Sequence, residues 1–562
     1  GELFSVDTPP PYVSSAHLHV GHAMSYAQAE FIIRYHRMKG NQVLMVSGSD
    51  QHGTPITLRA EQENITPQEV VSRYHNEFLQ SWERLGISFD LFTTTGTENH
   101  KETAHDIFLT LQEKDLLYTQ SPPMPYCHAC RRFLPDRYLQ GICPNCGNQD
   151  ARGDQCDNCG KPLNPEDLIE MRCRISGDTP DIRDTEHFFL KLSAFEGRLL
   201  EWVRAQKHWR PNVRNFSIGY LEGGLHDRAI TRDIEWGIPV PLDGYEGKRI
   251  YVWFEAVIGY LSASMEWAAK NGRDGLWRDF WQQESRAYYF MGKDNIPFHT
   301  IIWPAMLMGY GGLNLPYDVP ANEFLNMEGE QLSTSRNWAV WLPDYLDTYE
   351  PDPLRYVLTA NMPETSDSDF SWREYVRSNN DELVATYGNL VHRVLTMSYR
   401  NFDGKVPEPG TLDSDANDLL AETARRFLET GNNIEVCKFR AALGSSMALA
   451  QMANRYLEQK APWHAIQNDR ADAATTLWVS LSVINCLKTA LYPFLPFSSE
   501  KLHGMLGFVG GVQDQGWTWR PDGLAPGQGL QFPEPLFAKL DEEVVERETQ
   551  RIGQRPGNVE ND

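Results

Sequence analysis

The run AHLHVGHAMSY at residues 16–26 sets two imidazoles, His19 and His22, around Gly21, just after an apolar stretch at 3–6 and the proline-rich turn at 9–11. A strand that passes through such a turn into a helix exposes the helix's first amides. Their unpaired N–H groups and the positive end of the dipole attract phosphate. Histidine donors at that point can meet charge that develops on a phosphoryl group. Farther on, Cys143-x-x-Cys146 and Cys156-x-x-Cys159 present four thiolates on two tight turns, the tetrahedral S4 shell of zinc. A shell closed by four sulfurs leaves no position for water, so this metal is expected to be structural. A third pair, Cys127-x-x-Cys130, lacks a complete set of partners.

The elements that must position these groups follow from the hydropathy pattern. Residues 3–7, 42–48 and 287–291 read as short apolar strands, each followed by a turn or polar loop, with helical periodicity such as 27–38 between them. That is the punctuation of a parallel α/β sheet. Ligands of such sheets sit beyond the carboxyl ends of the strands, where His19, Asp50 and Lys293 fall. The cysteine- and proline-rich stretch at about 115–225 interrupts the sheet. A loop-rich stretch follows residue 320. From Asn379 onward, Leu383, Tyr387, Leu390, Val391, Val394 and Leu395 recur at three- and four-residue steps, and with the similar stretches 439–457 and 473–491 they predict a helix bundle.

Bulk properties narrow the class further. A chain of 562 residues allows three or four domains, each with its own core. An apolar fraction of 41% with dispersed aromatics indicates a globular chain. The net charge of −24 argues against indiscriminate nucleic-acid binding but leaves room for a specific RNA partner, because phosphate contacts depend on local clusters. No apolar run is expected to reach the ~18 residues of a membrane span; the most tempting, near 289–307, is broken by Lys293, Asp294 and His299. The first thirty residues show no export signal. Seven of the nine cysteines lie between Cys127 and Cys173, a local cluster that in a reducing compartment points to metal rather than to disulfides. A cytoplasmic protein is expected.

His19-Val20-Gly21-His22 resembles the HIGH signature of class I aminoacyl-tRNA synthetases, and further blocks resemble the methionyl branch of that family. They are SGSDQHGTP at 47–55, the cysteine-rich segment at 127–147, YVWFEAVIGYLSAS at 251–264, YFMGKDNIPFHTIIWPAML at 289–307 and GEQLSTSR at 329–336, where the family's KMSKS loop belongs. The match runs in order from Phe4 to about Gln550, and an ordered series is far more specific than any single motif. No further domain is expected after that point.

The resemblance implies a Rossmann-like catalytic domain in two halves, 1–114 and 226–320, split by a connective insertion with a zinc knuckle at 115–225. A stem-contact region with the KMSKS-like loop would span 321–376, a helical anticodon-binding domain 377–530 and a C-terminal tail 531–562. The activity implied is ATP-dependent activation of L-methionine and its transfer to tRNA(Met), with Mg2+ accompanying ATP, by a monomer. ATP would be met by His19, Gly21, His22, Lys293, Ser333, Thr334, Ser335 and Arg336, with His19, His22, Lys293 and Arg336 taking part in catalysis. Methionine would lie among Pro10, Tyr12, Asp50, Trp253, Ala256, Val257, Tyr260, Asn295 and His299, with Asp50 on its ammonium. Aromatic walls suit a thioether, since sulfur beside a ring gains ~0.3–1.5 kcal/mol.

Asn389 and Arg393, four apart on one helix face, and Trp463 match the family's anticodon readers, a set suited to base edges and base stacking. Relatives with two knuckles carry a fourth Cys-x-x-Cys where this chain reads Cys173-Arg174-Ile175-Ser176. A second metal on Cys127, Cys130 and Cys173, or a collapsed metal-free knuckle, are the two alternatives. The signature loop departs more sharply, because Gln331-Leu332-Ser333-Thr334-Ser335-Arg336 contains neither family lysine. Lys293 and Arg336 would then carry the charge on the leaving pyrophosphate. A tRNA-binding or regulatory paralogue that no longer activates amino acids is the alternative this loop raises; a sister synthetase for valine, isoleucine or leucine fits less well, because the insertion is mostly knuckle.

Overall fold

A computed structural model describes residues 1–11, 17–334 and 336–554. At its centre four parallel strands, β1 (Leu3–Asp7), β2 (Gln42–Ser49), β3 (Leu91–Thr94) and β4 (Ser285–Tyr289), lie in the spatial order β4-β1-β2-β3. Phe4 to Asp7 and Leu44 to Ser49 are buried throughout, as expected of strands covered on both faces. Helix α1 (Val20–Met38) connects β1 to β2, and α2 (Thr54–Glu63) follows β2. The strand order reverses at β1, so a crevice opens beyond the carboxyl ends of β1 and β4, the usual ligand position in a sheet of this kind.

The insertion is built from hairpins. One small sheet pairs Pro123–Cys127 with Arg132–Phe133 and Asp181–Asp184, and another pairs Leu139–Ile142 with Ala151–Arg152 and Ile169–Cys173. Side-chain hydrogen bonds bind this module to α2. Both Arg132 guanidinium termini donate to the Glu61 carboxylate at 2.7 Å, and the Tyr138 hydroxyl reaches Thr57 Oγ1 at 2.8 Å.

Beyond the sheet the chain becomes helical, with α3 (Asn389–Asn401), α4 (Phe439–Lys460), α5 (Pro462–Asn468) and α6 (Arg470–Leu491). Helix α6 corrects the expectation about apolar runs. It is long and apolar enough to cross a membrane by length and composition, and the segment near Lys293 is not. Yet 94% of its apolar window is buried inside the fold, because the helix is the central post of the bundle; a helix apolar on every side is one surrounded by others.

Arg355, fully buried, joins the two parts of the molecule. Its guanidinium donates to the carbonyls of Leu85 and Gly86 beside the sheet and to those of Pro493 and Phe494 at the end of the bundle, at 2.8–3.2 Å. Near the end of the chain the helix Glu543–Arg551 accepts a hydrogen bond from the Tyr349 hydroxyl through Glu548, and Gly553 N–H donates to the Asn337 carbonyl in the signature loop.

Candidate functional site

The start of α1 is built as the sequence suggests, with its histidines in a defined state. His19 caps the helix: its Nδ1 accepts from Gly21 N–H at 3.0 Å, while His22 Nδ1 accepts from His19 N–H at 3.1 Å. Burial and the neighbouring His22 hold His19 well below 6.5, and burial brings His22 down to about 4. Both rings are therefore neutral, and with Nδ1 accepting, the single proton of each sits on Nε2. The cap fixes the tautomer, so each histidine presents an N–H donor rather than a charge. Gly21 is required by space: a Cβ there would stand 2.8 Å from His19 Cε1 and 3.0 Å from Leu332 Cδ1 of the signature loop.

Pro10, His19, Gly21, His22, Trp253 and Asn295 share a cleft of about 480 Å³. Asp50 follows β2 and is buried; its Oδ1 accepts from His52 N–H at 3.1 Å and from Thr95 Oγ1 at 3.5 Å. Burial and the Glu255 carboxylate push its acidity far toward the neutral form, an imbalance that an arriving cation would relieve. Beside the cleft, Pro10, Ala256 and Tyr260 line a slot of only about 20 Å³. Tyr260 Oη lies 2.7 Å from His299 Nε2, and His299 Nδ1 donates to the Asn295 carbonyl at 2.9 Å. Burial brings His299 down to about 4, so its neutral Nε2 accepts the tyrosine proton. His299 belongs to a π-helical turn, Phe298–Ile302, a distortion frequent at functional sites.

Three expectations need correction or qualification. Val257 packs into the hydrophobic core, and like Asp50 and His299 it lines neither cavity. Lys293 is not among the cleft-lining residues although Gly292 and Asp294 are; its ammonium is drawn to Glu323 at 2.6 Å and Asp367 at 3.2 Å. Arg336 pairs with Glu330 at 2.9 Å and is half exposed. In the signature loop Ser333 and Trp338 exchange backbone hydrogen bonds at 2.8–3.0 Å, Thr334 is exposed, and Gln331 and Leu332 reach the cleft. Tyr12 and Ser335 lie outside the described residues.

Sequence reasoning missed two groups. Arg137, Asp154 and Gln155 of the insertion form part of the cleft wall, with Arg137 Nε 3.0 Å from Asp154. Behind Asp50, Glu255 receives His52 at 2.9 Å and His100 at 2.5 Å, and His100 also meets Ser262 at 2.8 Å. Although burial opposes it, these two histidines hold Glu255 down to about 2.

The cysteines of the first knuckle converge. Cys143, Cys146, Cys156 and Cys159 place all four Sγ atoms within 4.8 Å of one another, with the pairs Cys143–Cys159 at 3.9 Å and Cys146–Cys156 at 3.6 Å. Zinc–sulfur bonds of ~2.3 Å in a tetrahedron give sulfur separations of ~3.8 Å, so the residues present fit that ion. Amide donors from Asn145, Asn148 and Asn158 face the sulfurs at 3.4–3.6 Å, the arrangement that stabilises thiolates.

In the bundle, the Arg393 guanidinium lies 5.0 Å from the centre of the Trp463 ring and 2.8 Å from Glu458. Asn389 is exposed one turn earlier on α3. The structure thus brings Arg393 and Trp463 together, with Asn389 four residues before Arg393 on the same helix.

A parallel sheet with a capped, histidine-bearing helix start at its switch point, an insertion of cysteine hairpins and a following helix bundle define a class I aminoacyl-tRNA synthetase. The sequence matches the family described as tRNA synthetases class I (M) over residues 4–395 and the anticodon binding domain of methionyl tRNA ligase over 406–556. The methionine–tRNA ligase of Dehalococcoides mccartyi strain BAV1 is 58% identical over 97% of this chain and 98% of its own. That of Thermomicrobium roseum is 52% identical over 98% and 99%. Among solved structures, Mycobacterium tuberculosis methionyl-tRNA synthetase in complex with methionyl-adenylate superposes with a TM-score of 0.80 at 26% identity, covering 96% of this chain and 100% of that one. The chain belongs to the methionyl-tRNA synthetase family.

Proposed function

We propose that this chain uses ATP to convert L-methionine to methionyl-adenylate and then transfers the methionyl group to tRNA(Met). The reading is supported by two neutral imidazole donors on the cleft at the start of α1 and by a buried carboxylate, Asp50, that follows β2 and is primed for a cation. The methionine carboxylate attacks the α-phosphate in line, which requires orientation and charge stabilisation more than covalent chemistry from the protein. The Nε2–H groups of His19 and His22 meet the phosphoryl oxygens, helped by the positive end of the α1 dipole. Asp50 holds the ammonium. Pro10, Tyr12, Trp253, Ala256, Tyr260, Asn295 and His299 surround the thioether, and the narrow slot opens as it enters.

ATP arrives with Mg2+. Lys293 and Arg336 leave their carboxylate partners to take the pyrophosphate, and Ser333, Thr334 and Ser335 supply polar groups of the loop. Asn389, Arg393 and Trp463 read splayed anticodon bases. Zinc on Cys143, Cys146, Cys156 and Cys159 fixes the hairpins from which Arg137 and Gln155 reach the cleft. The chain works in the cytoplasm as a monomer. Methionine-dependent exchange of pyrophosphate into ATP is the direct test: its absence in a protein that still binds tRNA(Met) would favour the non-activating paralogue raised by the lysine-free loop.

A further inference from the structure

One half of the second cysteine group, the turn that starts at Cys173, has the backbone of a knuckle. In the two pairs of the first site, the residue after the second cysteine turns back to the first: Gly147 N–H donates to the Cys143 carbonyl at 3.0 Å and Gly160 N–H to that of Cys156 at 2.8 Å. Cys143 and Cys156 N–H in turn donate to the carbonyls of Asn148 and Lys161 at 2.8 and 3.0 Å. The stretch 173–178 repeats both bonds, with Gly177 N–H on the Cys173 carbonyl at 2.8 Å and Cys173 N–H on the Asp178 carbonyl at 2.8 Å. Gly147, Gly160 and Gly177 share the left-handed conformation at φ of 74°, 70° and 78°, which favours glycine. Ser176 therefore stands where Cys146 and Cys159 stand in their turns.

Its side chain points to the same place as theirs. Ser176 Oγ lies 3.3 Å from Cys127 Sγ, Cys130 Sγ lies 3.8 Å from Cys173 Sγ, and the three sulfurs are all within 4.8 Å of one another. Around one zinc ion, bonds of ~2.3 Å to sulfur and ~2.0 Å to oxygen give an S···O separation of ~3.5 Å in a tetrahedron. The sulfurs are also prepared as ligands, since Cys127 Sγ accepts from Cys130 N–H at 3.4 Å and Cys173 Sγ from Ser176 N–H at 3.5 Å.

We propose that Cys127, Cys130, Cys173 and the Ser176 hydroxyl form a second zinc site of mixed S3O type. It extends the reading of the insertion as a zinc module. On binding, three thiols lose their protons and the hydroxyl coordinates as a neutral donor. The complex then carries one negative charge instead of the two of an S4 shell. A weaker fourth ligand makes this the faster of the two sites to exchange its metal, while the first site stays closed.

The full chain, loaded with zinc under reducing conditions and desalted, is expected to hold two equivalents. Cys130→Ala and Cys156→Ala should each hold one, so the two sites fail or stand independently. Release to a chelator should be biphasic. Ser176→Cys should slow the fast phase by roughly tenfold or more, and Ser176→Ala should accelerate it, on the scale by which ligand-shell contacts change zinc affinity. In the cobalt-substituted protein, Ser176→Cys should raise the thiolate charge-transfer absorbance by about one sulfur's share of the total. A single equivalent in both the unaltered chain and Cys130→Ala would overturn the site. Two equivalents with release unaffected by Ser176→Ala would remove the hydroxyl from the shell and overturn the S3O assignment. Ser176→Cys is the conservative variant and keeps the test decisive if Cys130→Ala fails to fold.

Discussion

Lys293 Nζ lies 2.6 Å from Glu323, a residue that itself lines the catalytic cleft. Although burial works against its charge, Glu323 and Asp367 hold Lys293 above its usual acidity constant, so the ammonium is charged and occupied before any phosphate arrives. ATP must compete for it. Lys293→Ala is expected to slow adenylate formation by ~2–4 kcal/mol, the cost of losing a donor aimed at developing charge. Glu323→Gln should lower the KM for ATP by removing the competitor. Stopped-flow adenylate formation separates the two, and an unchanged rate in Lys293→Ala would remove this residue from the reaction.

The lysine-free loop leaves Arg336 as its only cation, paired with Glu330 across the hairpin. A charge that acts as the transition state forms lowers kcat and kcat/KM together. Arg336→Ala should do so by ~2–4 kcal/mol, and lysines placed at 331 and 334 should speed activation. A silent Arg336→Ala with a slower restored loop would dissociate this hairpin from pyrophosphate.

The state of the histidines gives a pH signature. His22, lowered to about 4 by burial, stays neutral through the physiological range. Its contribution to the rate should therefore be flat between pH 5.5 and 8, and His22→Ala should cost about 10²–10³ in kcat with little change in KM. A rate that rose on acidification with a midpoint near 6.5 would mean that the imidazolium is the working form.

Asp50 titrates in the opposite sense. Its carboxyl is raised by burial and by Glu255, and the ammonium of methionine can pair only with the ionised form. As pH falls through the raised value, protonation should weaken methionine binding, and the KM for methionine should climb at a pH well above the ordinary carboxylate range of ~4. Asp50→Asn should bind methionine poorly at every pH and lose that dependence. Isothermal titration across pH reads both.

Trp463 meets Arg393 but takes no part in the cleft. Trp463→Ala should weaken aminoacylation by ~1–3 kcal/mol through lost base stacking and leave pyrophosphate exchange intact. A parallel fall in both activities would make the residue structural.

Local chemistry was legible in the sequence, and pairings across distance were not. The helix start at His19 and the four-sulfur knuckle could be read because turn, cap and ligand spacing lie within a few residues. Three of the four sheet strands followed from short, largely apolar runs, whereas β3, the four residues LFTT, carried too little pattern to be read. The partners of Lys293 come from Glu323 and Asp367, thirty and seventy-four positions away, and no local pattern announces them. Arg137 reaches the cleft only because the whole insertion folds back, and Glu255 meets His52 and His100 through tertiary packing. Val257 adjoins Ala256 in sequence, yet it packs into the core while Ala256 lines the slot, a difference that spacing alone does not announce. Helix α6 was legible as a bundle helix from 473–491, but not as a segment apolar enough to cross a membrane, because serine, threonine and asparagine residues interrupt its apolar run.

Arg355 has a thermal consequence. Four of its hydrogen bonds are divided equally between carbonyls beside the sheet and carbonyls at the end of the bundle, with no water-facing surface. Prying the bundle from the sheet would strand a guanidinium in an apolar cavity or strip it of half its acceptors, a cost met only by unfolding the surroundings as well. Heat therefore finds no weak seam at this joint, and the catalytic and RNA-reading halves are bound to melt as a single cooperative body.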